Sequence, residues 1–219
     1  MDPSVVNDPL PARPYQDQLR EWPAAGRHIL AHYDDNTVIV YQAFRPAIAT
    51  HAIEHGKFGA EFSYSRMSWI KPNFLWMMYR SGWGTKAGQE VTLALRLSRT
   101  FFDGLLRAAV PSSFDAAVFA DRTAWAMAVE NSDVRLQWDP DHDPVGAPQQ
   151  RRAIQLGLRG ATLEAFGKRD LLQVIDMSTF VAGQRQALAR GDTALHVPSE
   201  RVYRPADVET ARWIGLNET

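Results

Sequence analysis

From Thr37 to Tyr41 the chain reads TVIVY, a β-branched apolar run that predicts a buried strand. Pro46 follows where the first turn of a helix tolerates proline. Ile48, Ala49, Ala52 and Ile53 then recur at helical spacing up to Gly56. Residues 37–56 therefore read as strand, short turn, helix. A short strand is expected over residues 66–70. Pro72 is expected to open a helix through about Ser81, ended by Gly82 and Gly84. Val91 to Leu97 alternates as V-T-L-A-L-R-L, a strand with one apolar face. Helices are expected around 101–109 and 122–130. VRLQW at 134–138 and RAIQLGL ending at Leu158 read as strands joined by a long hairpin of turn formers, DPDHDPVGAPQQ. A short helix at 161–167, a strand at 171–175 and a helix at 179–190 stopped by Gly191 come next. The C-terminal stretch predicts a loop, a short strand, a short helix from Ala206 and a last strand at 212–216.

Strands and helices mix without regular βαβ alternation, so the fold class is α+β, with one domain over residues 26–219. Residues 1–25 are Pro-rich and polar and read as an arm that lies on the surface or is partly disordered. Order is expected to begin near Arg27. The 219 residues are 45% hydrophobic and 22% charged, which makes disorder unexpected over most of the length. The net charge of −1 argues against bulk attraction to nucleic acid or an anionic membrane, though not against a local basic patch. With no cysteine there is no disulfide framework, zinc-thiolate site or thiol nucleophile, a composition that suits a reducing cytoplasm. No apolar run approaches the roughly 18 residues that span a bilayer, and the N-terminus lacks the apolar core of a signal peptide. No membrane partner and a cytoplasmic location are expected.

The segment from 62 to 99 is the densest in candidate chemistry. Trp69, Trp76 and Trp83 are seven apart. They form either a core face or, in part, the wall of a pocket that stacks on a flat ligand. Trp69 is the best candidate for the wall, because it precedes the helix and stands beside Ser68 and Lys71. Arg66, Lys71, Arg80 and Lys86 interleave with Trp69, Trp76, Tyr79 and Trp83. The array is a solvated basic face, or it supplies charge for a phosphate and π-surface for a base. A nucleotide or dinucleotide fits the second reading. Asp139, Asp141, His142 and Asp143 cluster, but two prolines interrupt them and no glutamate closes a calcium loop, so they read as a solvated hairpin loop. His51 and His55 are four apart without the HExxH pattern and are taken as surface residues. No metal is expected. The chain has no G-x-S-x-G, P-loop or Rossmann fingerprint.

The segments YQAFRPAIA, RMSWIKPNFLWMMYRSGWGTKAGQE, LQWDPDHDP and RRAIQLGLRG resemble a family known as domain of unknown function (DUF) 4291, from about Arg27 to Leu216. The family name brings no function. The order of pieces also looks like the ADP-ribosyltransferase superfamily. That resemblance implies a split, mixed or antiparallel sheet with flanking helices that clamps NAD. Gln42 stands in the slot that a polymerase-like member fills with His. Ser68 and Trp69 stand where Tyr or Ser-Thr-Ser is expected. The late unit PSERVYRPADVETARWIGL makes Glu200 the implied catalytic glutamate, with Gln42 as its hydrogen-bonding companion. Glu90 is the competing carboxylate. Cleaving the nicotinamide–ribose bond develops an oxocarbenium-like cation that a carboxylate stabilises. Arg45 and Lys71 would hold the pyrophosphate, with Ser68, Trp69, Tyr79 and Arg80 completing the NAD site.

Two functions follow as expectations. One is transfer of ADP-ribose from NAD, as substrate, to an acceptor that is a protein, nucleic acid or nucleotide. The other is a module that binds a nucleotide or an exposed base without turnover. The first expects Gln42, Trp69 and Glu200 to line one cleft; without that grouping the second rests on the segment from Arg66 to Glu90 alone.

Overall fold

The computed structural model describes residues 10–59, 61–191 and 195–217. The chain enters through β1 (Ala12–Pro14) and α1 (Tyr15–Glu21). This corrects the expectation of a surface arm for residues 10–25; residues 1–9 lie outside the described residues. Leu10, Tyr15 and Trp22 are buried, and Gln18 has no exposed surface. The Gln18 amide donates to the carbonyls of Val197 and Pro198, both at 3.2 Å. Pro-rich composition concealed this segment because its anchors are single residues, and Tyr15, Gln18 and Trp22 bond to carbonyls of residues 195–200 at the far end of the chain.

β2 (Gly26–Arg27) and β3 (Ile29–Ala31) lead into β4 (Thr37–Phe44), where Val38 to Tyr41 are fully buried. α2 (Pro46–His55) begins on its proline and ends at Gly56, whose φ of 66° is the left-handed conformation open to glycine. β5 (Ser68–Ile70) precedes α3 (Phe74–Ser81). Asn73, rather than Pro72, starts this helix: its side chain accepts from the Trp76 N–H at 2.6 Å. β6 (Val91–Ser98), α4 (Arg99–Ala108), β7 (Val110–Pro111) and α5 (Arg122–Asn131) follow. β8 (Val134–His142) and β9 (Pro148–Leu158) form the long hairpin, and α6 (Gly160–Lys168), β10 (Leu171–Asp176) and α7 (Ser178–Ala189) come after it.

β11 (His196–Pro198), β12 (Arg201–Tyr203) and α8 (Val208–Trp213) complete the chain. The strand expected at 212–216 is absent. Asp207 caps α8, and the Leu216 N–H bonds back to the Ala211 carbonyl around Gly215, with φ 72°. RWIGL is thus a helix end closed by a left-handed glycine.

The elements assemble as α+β. β10-β6-β4 is an antiparallel sheet. β2-β9-β8-β7 is a mixed sheet, with β5 antiparallel on β9. Two ribbons, β1-β11 and β12-β3, join the N-terminal segment to the last strands. The two larger sheets meet where the chain pairs Tyr41 with Lys71, by Tyr41 N–H to Lys71 O at 2.6 Å and Lys71 N–H to Tyr41 O at 3.2 Å. Alternation along β4 sends Val38 and Val40 into one apolar cluster and Ile39 and Tyr41 into another. Among the described residues no helix is long and apolar enough to cross a membrane.

Candidate functional site

A cavity of about 600 Å³ opens beside the joint between the two sheets. The end of β4 supplies Gln42 to its wall, and residues 66–71 supply Arg66, Ser68, Trp69 and Lys71. α3 adds Met77 and Arg80, the loop before β6 adds Gln89, and the β8-β9 hairpin adds Gln137 and Gln155. Among the described residues, Arg66, Lys71 and Arg80 are its charged residues and no Asp or Glu is in the wall.

Lys71 is the unusual member. It is 4% exposed, because its backbone is locked to Tyr41 in the joint. Among the described residues its Nζ makes no hydrogen bond or ion pair; it lies 5.9 Å from the centre of the Trp76 ring. Burial, and then the nearby Arg80 charge, push the ammonium down to about 8, against an opposing pull from Asp139. Arg66 and Arg80 are exposed at the rim. The wall therefore combines one poorly hydrated cation, two exposed long cations, an indole and a set of primary amides.

The amides are oriented from behind. Gln42 Nε2 donates to Ser68 Oγ at 2.7 Å and to the Trp69 carbonyl at 3.1 Å. Gln137 and Gln155 face each other across β8 and β9. Each donates its Nε2 to a separate oxygen of Asp139, both at 2.7 Å.

Of the residues singled out from sequence, Gln42, Arg66, Ser68, Trp69, Lys71 and Arg80 meet at this cavity. Glu200 does not. It is 3% exposed and lies under the start of α3. Its Oε1 accepts from the Phe74 N–H at 2.7 Å and its Oε2 from Asn73 Nδ2 at 3.3 Å. The Glu200 backbone is held by Gln18 Oε1 and by the Trp22 indole, at 2.8 and 2.9 Å. Burial pushes its carboxyl well above the usual range, while the Phe74 N–H pulls the other way. The expected grouping of Gln42, Trp69 and Glu200 in one cleft is corrected: the carboxyl accepts from the first N–H of α3 and from the Asn73 amide, and it does not border the cavity. Glu90 is exposed and accepts from the Gly88 N–H at 2.8 Å.

Arg45 is exposed, pairs with Glu61 and is outside the wall. Tyr79 is 44% exposed, stacks on His142 with ring centres 3.5 Å apart, and borders a different depression with Trp83. Lys86 closes α3 by donating to the Arg80 carbonyl at 2.8 Å. Trp76 and Trp83 are buried, so the tryptophan series divides: those two pack in the interior and Trp69 borders the cavity. The acidic hairpin cluster is not solvated as expected. Asp141, 1% exposed, pairs with Arg151, 4% exposed, at 2.6 Å. His51 and His55 stack on each other, ring centres 4.1 Å apart.

Gln89, Gln137 and Gln155 were missed as wall residues. The last two carry a signal, since each interrupts a short apolar run, LQW and IQL, but only the β8-β9 register shows that they sit opposite each other.

No curated protein matches the sequence. The model of the family described as domain of unknown function (DUF4291) matches residues 28–203. That span takes in every residue named in the cavity wall as well as Glu200, and the chain belongs to the DUF4291 family.

Proposed function

We propose that the cavity binds a nucleotide, a ligand with a phosphate and a planar base. The observation that carries this reading is the charge of the wall: among the described residues, three cations and no carboxylate, beside Trp69. Phosphate demands charge-assisted donors, and a base gains from an aromatic face. A volume of about 600 Å³ is within the range of small-molecule sites. The pool it would sample is cytoplasmic, in keeping with a chain free of cysteine. The binding reading is favoured over ADP-ribosyl transfer, which needs a carboxylate at the ribose where positive charge develops. The likeness to ADP-ribosyltransferases stays an analogy of segment order.

The test is calorimetry and tryptophan fluorescence with AMP, ATP and NAD, with ribose 5-phosphate as the control that lacks a base. Saturable binding of the nucleotides, weaker for ribose 5-phosphate, is expected, with no nicotinamide formed from NAD. No saturable signal with any of them removes the reading. Nicotinamide release would return the transferase in its place.

A further inference from the structure

We propose that the cavity selects a base that presents an amino group, as adenine and cytosine do, over one that presents an oxo group at the same position. The proposal rests on the nucleotide reading above and names the class of nucleotide.

The argument is the orientation of three amides. Gln42 is 4% exposed, and its Nε2 is engaged by Ser68 Oγ and the Trp69 carbonyl. A backbone carbonyl only accepts, so turning this amide over would set two acceptor oxygens against each other. The orientation is thereby decided, and Oε1 is left over. That oxygen is buried and has no hydrogen-bond partner among the described residues. Buried acceptors are nearly always satisfied, so one left unpaired on a residue of the cavity wall points to a donor that arrives with a ligand.

Gln137 and Gln155 repeat the device. Asp139 lies behind both and takes both Nε2 groups. The ionised carboxylate accepts only, so these amides too cannot turn over without loss. Among the described residues neither Oε1 accepts a hydrogen bond from the protein. The wall is thus sorted by function. Lys71, Arg66 and Arg80 offer donors and positive charge, suited to phosphate. The three amides offer acceptors, suited to N–H groups of a base.

The experiment is calorimetric titration of the full chain with two matched pairs, AMP against IMP and CMP against UMP. Within each pair the phosphate and sugar are identical; an amino group becomes an oxo group and the adjacent ring nitrogen gains a hydrogen, so the comparison reads which of the two donors the amides meet. The amino member of the pair that binds is expected to be about ten- to a hundredfold tighter. Gln42→Leu should pull that ratio towards one. Asp139→Asn should do the same by freeing Gln137 and Gln155, and it stands as the second variant if Gln42→Leu does not fold. Equal affinities within both pairs, or preference for IMP or UMP, overturns the amino selection and leaves nucleotide binding standing. Wild-type selectivity that survives in whichever of the two variants folds overturns the assignment to these amides. Absence of binding by all four nucleotides overturns this proposal together with the nucleotide reading.

Discussion

At the scale of single residues, Lys71 is a cation held where water barely reaches. Its folded value of about 8 lies below the ordinary lysine value of 10.5. Between those values the unfolded chain binds more protons than the folded one, so stability rises with pH across the window. Below pH 8 the full penalty of the buried charge is present. Lys71→Met removes that penalty. The variant should unfold at higher temperature than wild type at pH 7, and the gap should close as pH rises towards 10.5; equal melting temperatures at pH 7 would show that the ammonium is well solvated. The same variant should bind AMP on the order of ten- to a hundredfold more weakly, from the loss of a charge-assisted contact. Wild-type affinity for a phosphate ligand should fall as pH passes 8, because the ammonium discharges. Stability gained and binding lost in one substitution is the pattern of a group kept for function. Neither the burial nor the missing partner is legible in WIKPN, where Lys71 looks like any lysine before a helix. Both come from its pairing with Tyr41, thirty residues away in sequence.

At the scale of elements, the start of α3 is the feature that determines Glu200's role. Asn73 caps the helix from within, a signal the sequence carries. Glu200 covers the next N–H group from a distant segment. Its folded value is raised by burial, so above about pH 4.5 the unfolded chain loses this proton while the folded chain keeps it. Stability contributed by the group therefore declines as pH rises from the unfolded value towards the raised folded one. Glu200→Gln keeps an acceptor for the Phe74 N–H and removes the titration. Urea unfolding of both proteins between pH 4 and 7 should show wild type losing stability relative to the variant as pH increases. A parallel pair of curves would mean that the carboxyl titrates alike in the folded and unfolded chains, and would remove the raised value. Nucleotide affinity should change by less than about twofold, since Glu200 does not border the cavity. A Glu200→Gln variant that folds normally but no longer binds would return Glu200 to the site. The apolar periodicities of β4 and β6 and the helix stops at Gly56 and Gly82 were readable locally. The end of α8 was not read, because RWIGL carries both an apolar run and a glycine, and the closing bond from Leu216 to Ala211 decides between strand and cap.

At the scale of the whole molecule, the N-terminal segment ties the two sides of the fold together. The Trp22 indole holds the Glu200 carbonyl, its ring lies 5.3 Å from the Arg151 guanidinium, and Arg151 in turn bonds Asp141 and the Pro23 carbonyl. Trp22→Ala should cost about 3–5 kcal/mol in denaturant unfolding, the range for emptying a buried aromatic site. A tryptophan on a surface arm would cost no more than about 0.5 kcal/mol, and a loss that small would undo this account of residues 10–22. What the sequence determined alone was everything carried by neighbours within a turn or a strand. That includes the α+β class, most helices and strands, the dense segment around Trp69 and Lys71, and the lack of any thiol chemistry. These depend on spacing, and spacing is visible in one dimension. The tertiary structure decided which polar groups face one another. It separated Trp69 from Trp76 and Trp83, walled Glu200 away from Gln42, buried the Asp141–Arg151 pair, and set Gln137 beside Gln155 over Asp139. Those outcomes follow from strand register and from the low tolerance of a packed interior for unpaired polar atoms, and both are properties of contacts between segments far apart in the chain.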